Sequence, residues 1–200
     1  RFLVQKQDRP FAQPGALRLV TRGNAEALSG AAARLPTMER VLLSGIGTSW
    51  HAALVGELLL ARVGKLGTRV RAFHSFELGQ YWPAPDARTG VIVVSHRGSK
   101  RYSREAMASA KAGSGVSVLI TGKGGEPLDA DLTLRTVDQE RSAAHTVSYT
   151  CALALLAALA AQIGDDAEIQ SELGEIPDHL ALLLGQESWE DIAARFGDAG

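Results

Sequence analysis

Short apolar runs alternate with stretches of helical period through most of this chain. Val41-Leu42-Leu43-Ser44 is too short for a helix and too apolar for an exposed edge, while Leu54, Val55, Leu58 and Ala61 recur behind it at helical spacing. Gly90-Val91-Ile92-Val93-Val94 is branched at the β-carbon and apolar on both faces, as strands of covered parallel sheets are. Behind it, Tyr102, Ala106 and Ala110 mark a helix that Gly113 closes. Thr68 to Phe73 alternates as a strand does, Val116 to Ile120 and Leu132 to Val137 supply two more strands, and Thr146 to Ile163 is a long helix of alanines and leucines.

Strands alternating with helices in this way predict an α/β fold. The expected form is a doubly wound, flavodoxin-like three-layer sandwich around a mainly parallel five-stranded sheet with right-handed crossovers. The flanks are less regular. Residues 1–15 carry Pro10, Pro14 and Gly15 and predict an arm that wraps the core; Leu17 to Leu35 predict one helix, with Pro36 just beyond it. Ser75 to Tyr81 suggest a short helix and Trp82 to Asp86, with two prolines, a loop. Leu180, Leu183, Leu184 and the segment from Trp189 to Phe196 suggest one or two further helices. The organisation expected is an arm and helix over 1–36, one phosphate-binding α/β domain over 37–165, and a helical connector over 166–200 leading toward a second domain beyond Gly200.

Polar turns join three of the strands to the helices behind them: Gly45 to Ser49, Ser95 to Lys100, and Asp138 to His145. Gly45 and Gly47 let the backbone turn tightly, and Thr48 or Ser49 can cap the following helix. Amides at a helix start, the positive end of its dipole and hydroxyls together suit a phosphate monoester. An ordinary capped turn has the same residues, but all three turns fall at the carboxyl ends of the strands, where ligands of doubly wound sheets bind.

Composition narrows the function without naming it. With 46% hydrophobic and 22% charged residues, the chain can bury a normal core. The single Cys151 lies in an apolar run and reads as a buried structural thiol. The amino-terminal residues lack the apolar core of a signal peptide, no uninterrupted apolar segment is expected to span a bilayer, and a cytoplasmic location follows as the default. The net charge of −1 conceals an asymmetry: residues 1–125 hold 18 of the 21 Lys and Arg but 7 of the 22 Asp and Glu, about +11 against −12 for the rest. The cations are scattered singly rather than clustered with aromatics, which argues against nucleic acid; acidic C-terminal helices packed on a basic surface explain the asymmetry. No lysine follows a glycine-rich phosphate loop, and Gly45-Ile46-Gly47 lacks the third glycine of a dinucleotide fingerprint. Neither a metal nor a cofactor is expected.

Taken together, the turns resemble those of the sugar isomerase (SIS) domain family, in particular the first of the two such domains in the isomerase part of glutamine:fructose-6-phosphate aminotransferase. Gly47-Thr48-Ser49 looks like the first phosphate turn of that family. Ser95-His96-Arg97-Gly98-Ser99 stands where the family has Ser-Gln-Ser-Gly-Glu, and Glu140 to Thr150 aligns with the segment after the last strand. The resemblance covers roughly residues 38–163, with an echo of the approach arm at 13–17. It implies that Gly47, Thr48, Ser49, Ser95, His96, Arg97, Gly98, Ser99, Lys100 and Ala143 contact a sugar phosphate, and that Glu140 and His145 are the local candidates for proton transfer. It also implies a homodimer, since SIS domains typically pair, and the apolar girth of the helix at 146–163 points the same way.

Departures from the family pattern bear on the chemistry. Arg97 and Lys100 stand where the family commonly has hydroxyls, and a guanidinium can contact two phosphate oxygens at once. His145 stands where the family has a serine against the sugar. Nothing here corresponds to the family's separate glutaminase domain, so ammonia from glutamine is not implied. The expected function is a phosphosugar-binding domain of an aldose-ketose or aminosugar-phosphate isomerase or an aminotransferase-like enzyme. The competing expectation is a non-catalytic phosphosugar sensor, against which the lack of a helix-turn-helix segment before residue 41 counts only for a transcription regulator.

Overall fold

The structure is a computed structural model that describes residues 4–138 and 146–185 with 194, 195 and 197, and side chains from residue 12 onward. Five strands form one parallel sheet: β1 (Arg40–Gly45), β2 (Val70–His74), β3 (Thr89–Val94), β4 (Val116–Lys123) and β5 (Leu132–Asp138). Their order across the sheet is β2-β1-β3-β4-β5. This is the doubly wound, flavodoxin-like three-layer arrangement, with the strand order reversing between β1 and β3.

Both faces of the sheet are covered, which is why its strands read as continuous apolar runs. On one side Val41, Leu43, Ile92, Val94, Val118, Ile120 and Leu134 pack against α1 (Val4–Val20), α2 (Ala25–Arg34), α3 (Thr48–Arg62) and α6 (Val147–Gly164). On the other, Leu42, Val91, Val93 and Leu119 meet α4 (Ser75–Gln80) and α5 (Arg101–Gly113) through Leu78, Ala106, Met107 and Ala110. Successive residues of a strand thus serve opposite cores. The layers are close: a β-carbon on Gly56 of α3 would lie 2.6 Å from Leu43 and 3.1 Å from Leu156 of α6.

α6 is the central helix of the thicker layer. Its 18 residues have a mean hydropathy of 1.7 and are long and apolar enough, by length and composition, to cross a membrane, although Ser148, Tyr149, Thr150 and Gln162 interrupt the apolar run. However, 61% of them are buried inside the chain, including Cys151, Leu155, Leu156 and Leu159, so the helix is clothed by α1, α2, α3 and α7 (Ala167–Gly185). The apolar girth that suggested pairing of two copies is therefore largely accounted for within one chain.

The amino-terminal segment departs from expectation. Residues 4–20 form a helix rather than an aperiodic arm, and the single helix expected over 17–35 is two, divided by a 3-10 turn at Arg22–Asn24. Packing overrides the prolines: Pro14, Leu17 and Val20 are buried on α6 and α7, and Arg18 pairs with Asp178 of α7. α7 likewise runs through Pro177, which is buried. Ion pairs from Arg18 to Asp178, Arg34 to Asp131, Arg104 to Glu126 and Lys111 to Asp129 and Asp131 join the basic first part to the acidic last part; of these, Arg18–Asp178 reaches a C-terminal helix, and exposed pairs of this kind contribute little to stability.

Both sheet edges are closed by side chains. At β5, Asn24 accepts from the Arg135 amide at 2.6 Å and donates to the Arg135 carbonyl at 2.8 Å and to the Val20 carbonyl at 2.6 Å, so a buried amide imitates a sixth strand. At β2, Glu57 accepts from the Ala72 amide at 2.6 Å and Glu77 from that of His74 at 3.1 Å. Free strand edges invite pairing with other chains, and these bonds occupy one edge amide of β5 and two of β2 that could do it.

Two outcomes follow for stability. Asn24→Ala leaves buried backbone groups of β5 unpaired and is expected to lower unfolding free energy by about 1–3 kcal/mol in chemical denaturation, with the fold retained. The second concerns Asp131, which takes bonds from the Ser117 amide and hydroxyl and from Lys111 where the chain enters β5. Burial pushes its pKa up, but those three donors outweigh it and hold it at about 2; hydrogen bonds from Thr89 and then Arg88 hold Asp86 at about 2 as well. A carboxylate held below its unfolded value stabilises fully above that value and loses its effect as pH falls. Wild type is thus expected to lose stability between pH about 4 and 2, and Asp131→Asn to be less stable at pH 7 with a shallower acid slope, as thermal melts across that range will show.

Candidate functional site

The site grows out of the way α3 begins. A β-carbon on Gly45 would lie 2.3 Å from the carbonyl carbon and oxygen of Ser49, so only glycine lets the helix start directly behind β1. Gly47 has φ +61° and is itself the N-cap residue; the expected cap by Thr48 or Ser49 is not made, and no described side chain caps this helix. The reason is geometric: the cap position needs a positive φ, which glycine adopts freely. Its carbonyl accepts from Trp50 and His51 at 2.9 and 3.2 Å, while the amides of Thr48 and Ser49 precede the first carbonyl that could bond them within the helix.

The second turn, after β3, is pinned to the end of β4. Ser95 is buried, its amide bonds the Ile120 carbonyl at 2.9 Å, and its carbonyl accepts from the Thr121 hydroxyl at 2.9 Å. The His96 carbonyl accepts from Gly122 and that of Arg97 from Glu126, at 2.9 and 2.8 Å. Gly98 has φ +71°, and a β-carbon there would meet the Glu126 carbonyl at 2.4 Å. The turn is therefore a rigid backbone hairpin that presents its side chains from a fixed frame.

Above the strand ends lies a recess of about 20 Å3, room for one water-sized group, lined by Thr48, Ser49, His96, Thr121, Thr136, Ser148 and Tyr149 with apolar walls from Ala52, Val94, Ile120 and Ala152. A bulkier group enters only if those side chains give. The polar part of this lining is almost all hydroxyl, set between the start of α3 and the start of α6, beside the point where the strand order reverses.

Of the residues the sequence picked out, Thr48, Ser49 and His96 come together here, and Gly47 stands immediately before them. Ser95, Arg97, Gly98, Ser99 and Lys100 do not line the recess; Ser95 and Gly98 are buried supports of the turn, and Arg97, Ser99 and Lys100 are exposed. Glu140, Ala143 and His145 lie outside the described residues. Sequence reasoning missed Thr121, Thr136, Ser148 and Tyr149. The first two are hydroxyls at the carboxyl ends of β4 and β5, and the ligand-crevice rule for such sheets, applied to every strand rather than to three, would have found them. Among the described residues, no group of three or more His, Cys, Asp or Glu is placed to hold a metal.

A parallel sheet ordered in this way, with a hydroxyl-lined recess beside its switch point and a glycine-built helix start facing it, defines a doubly wound α/β domain. Residues 35–162 match the SIS domain, and the chain belongs to that family. Over 199 residues it is 31% identical to the glutamine--fructose-6-phosphate aminotransferase [isomerizing] of Pyrococcus horikoshii, an alignment that takes in 94% of this chain and 33% of that one, so the chain spans about a third of that relative's length. Among solved structures it resembles a Silicibacter pomeroyi protein assigned to the phosphosugar isomerases, with a TM-score of 0.79 at 20% identity over 96% of this chain and 59% of that one. It also resembles the C-terminal domain of glucosamine-fructose-6-phosphate aminotransferase from Francisella tularensis, with a TM-score of 0.70 at 16% identity over 88% and 52%. At these identities the two structures bear on the fold alone.

Proposed function

We propose that the recess holds the phosphate of a sugar phosphate, and that this chain is the phosphosugar-binding part of an aldose-ketose or aminosugar-phosphate isomerase or aminotransferase-like enzyme. The observation that carries the reading is the convergence of Ser49 and Thr48 at the open start of α3 with His96, Thr121 and Thr136 around one recess. Hydroxyls and helix amides are donors that bind an anion without requiring a counter-charge. The names of the relatives, which concern fructose 6-phosphate and phosphosugars, support the same ligand class.

In this reading the phosphate is a remote handle that orients the reacting carbons, whose proton transfer is assigned to Glu140 and His145, with Ala143 against the sugar. Ser95 and Gly98 shape the second turn, and Ser99, Lys100 and Arg97 stand beside His96 to meet the outer phosphate oxygens. Residues 166–200 serve as the connector toward a second domain of the same kind. A charged sugar ester is confined by membranes, which fits a cytoplasmic enzyme. Two copies pair, and the face that supports it is on α3, where Leu54 and Leu58, one turn apart, are 43% and 56% exposed.

Fructose 6-phosphate and glucosamine 6-phosphate are expected to raise the melting temperature, since a ligand that binds only the folded state stabilises it, while fructose itself leaves it unchanged. In calorimetry, Arg97→Ser is expected to lose one charge-assisted contact of about 1.5–3 kcal/mol, roughly tenfold to over a hundredfold in affinity. Equal affinities would assign the anion to the turns and hydroxyls alone; no response to any phosphorylated sugar would end the reading. For pairing, sedimentation of the wild-type protein at tens of micromolar is expected to show a dimer that Leu58→Glu converts to monomer, and a wild-type monomer would refute it.

A further inference from the structure

A second concavity, a cleft of about 330 Å3, is bounded by α1, α6 and α7 with Leu59 of α3. It shares no lining residue with the recess at the strand ends. Its volume reaches the lower end of the range of small-molecule sites, about 300–1,000 Å3. Sequence explains why the helices leave this space. Ala154 and Ala157, three residues apart and so on one face of α6, end short of α1 and α7, where a leucine would fill the gap. Pro177 has no N–H for the carbonyl of Leu173 one turn earlier, so α7 lacks a backbone bond where it borders the cleft. Leu17, Leu153, Leu173 and Leu180 supply apolar wall, and no charged side chain is in the lining.

One buried polar group interrupts that wall. Gln13 of α1 lines the cleft with 9% of its surface exposed, and its amide makes no hydrogen bond among the described residues. Buried polar side chains are nearly always paired, and one left unpaired is destabilising. The two other polar side chains of the lining are placed differently: the Thr150 hydroxyl bonds back to the Thr146 and Val147 carbonyls at 3.1 and 3.0 Å, and Thr21 is only half-buried. A carboxamide offers two hydrogens and an accepting oxygen, so a group with one donor and one acceptor side by side can engage it through two bonds at once.

We propose that this cleft binds a neutral, mainly apolar small molecule carrying one carboxamide-like group, whose polar end pairs with Gln13 while its body lies among the leucines. Each part of that description follows from the lining. A pure hydrocarbon would leave the Gln13 amide unpaired, and a carboxylate would lose its hydration against a wall that holds no counter-charge. A second copy of the chain is the less suited occupant, since the exposed leucines assigned to pairing, Leu54 and Leu58 of α3, do not line the cleft. The site stands independently of the phosphosugar reading, with which it has no residue in common.

Benzamide and toluene are suitable probes, alike in the ring and different in the amide. Methyl NMR of the wild-type protein titrated with benzamide is expected to show saturable shifts at Leu17, Leu153, Leu173 and Leu180, and none at Leu42 and Leu119 on the other face of the sheet. Gln13→Leu is expected to weaken benzamide roughly tenfold while holding toluene as tightly or more tightly. Its melting temperature should equal or exceed that of wild type, because the unpaired amide is gone. Ala157→Leu fills the cleft and is expected to abolish binding of both probes with the fold retained. Equal benzamide affinity in wild type and Gln13→Leu would mean that water satisfies the amide, and overturns the proposal. So does a titration of wild type that leaves the four leucines unshifted. Sedimentation in which Ala157→Leu converts a dimer to monomer would make the cleft an interface between copies and would overturn it as well.

Discussion

The backbone of α3 begins so close behind β1 that a single methyl group on Gly45 would sit 2.3 Å from the Ser49 carbonyl. Much of the molecule is arranged around that approach. It directs the first amides of the helix and the hydroxyls of Thr48 and Ser49 over the carboxyl edge of the sheet, at the gap where β1 and β3 diverge to opposite crossovers. It also brings the helix low enough onto the sheet for Gly56 to leave no room for a side chain between Leu43 and Leu156. Close packing of α3 between β1 and α6 is thus what holds the backbone of this turn in place, and a core contact fixes the geometry of a surface recess.

The second and third walls are held by a different interaction, a relay of hydroxyls across the strand ends. Thr121 on β4 supports the turn after β3, and Thr136 on β5 supports both Thr121 and the ring of His96. Each hydroxyl donates to a carbonyl that the end of a strand leaves exposed, so the bonds satisfy backbone groups and orient the site together. The Asn24 amide does the same for the outer edge of β5, which keeps that strand, and Thr136 on it, in register.

The apolar surface of α6 shows how a sequence pattern can be right about burial and wrong about what does the burying. Its composition suits a membrane or a partner subunit, yet α1, α2, α3 and α7 cover most of it within the chain. The helix formed by residues 4–20 is part of that cover. Its prolines argue for an arm, but burying Pro14, Leu17 and Val20 against α6 and α7 outweighs the lost backbone bonds, each buried side chain of this size contributing about 1.5–3 kcal/mol.

The sequence by itself determined the five strands, their parallel pairing and the helices on both faces, because a strand buried on two sides must be apolar at every position and a helix at every third or fourth. It determined the glycine turn at 45–47 for the same kind of reason: backbone shape and close approach are local requirements that only glycine meets. It brought Thr48, Ser49 and His96 forward because each lies in a polar turn between a strand and the next helix, where the resemblance to the SIS family places phosphate contacts. What it could not reveal is that Thr121, Thr136, Ser148 and Tyr149 complete the lining, that Gly47 rather than a hydroxyl stands at the N-cap of α3, or that Asn24 bonds an edge 111 residues away. Those are decided by the order of the strands and by which helix lies over which, distances that no periodicity along the chain encodes.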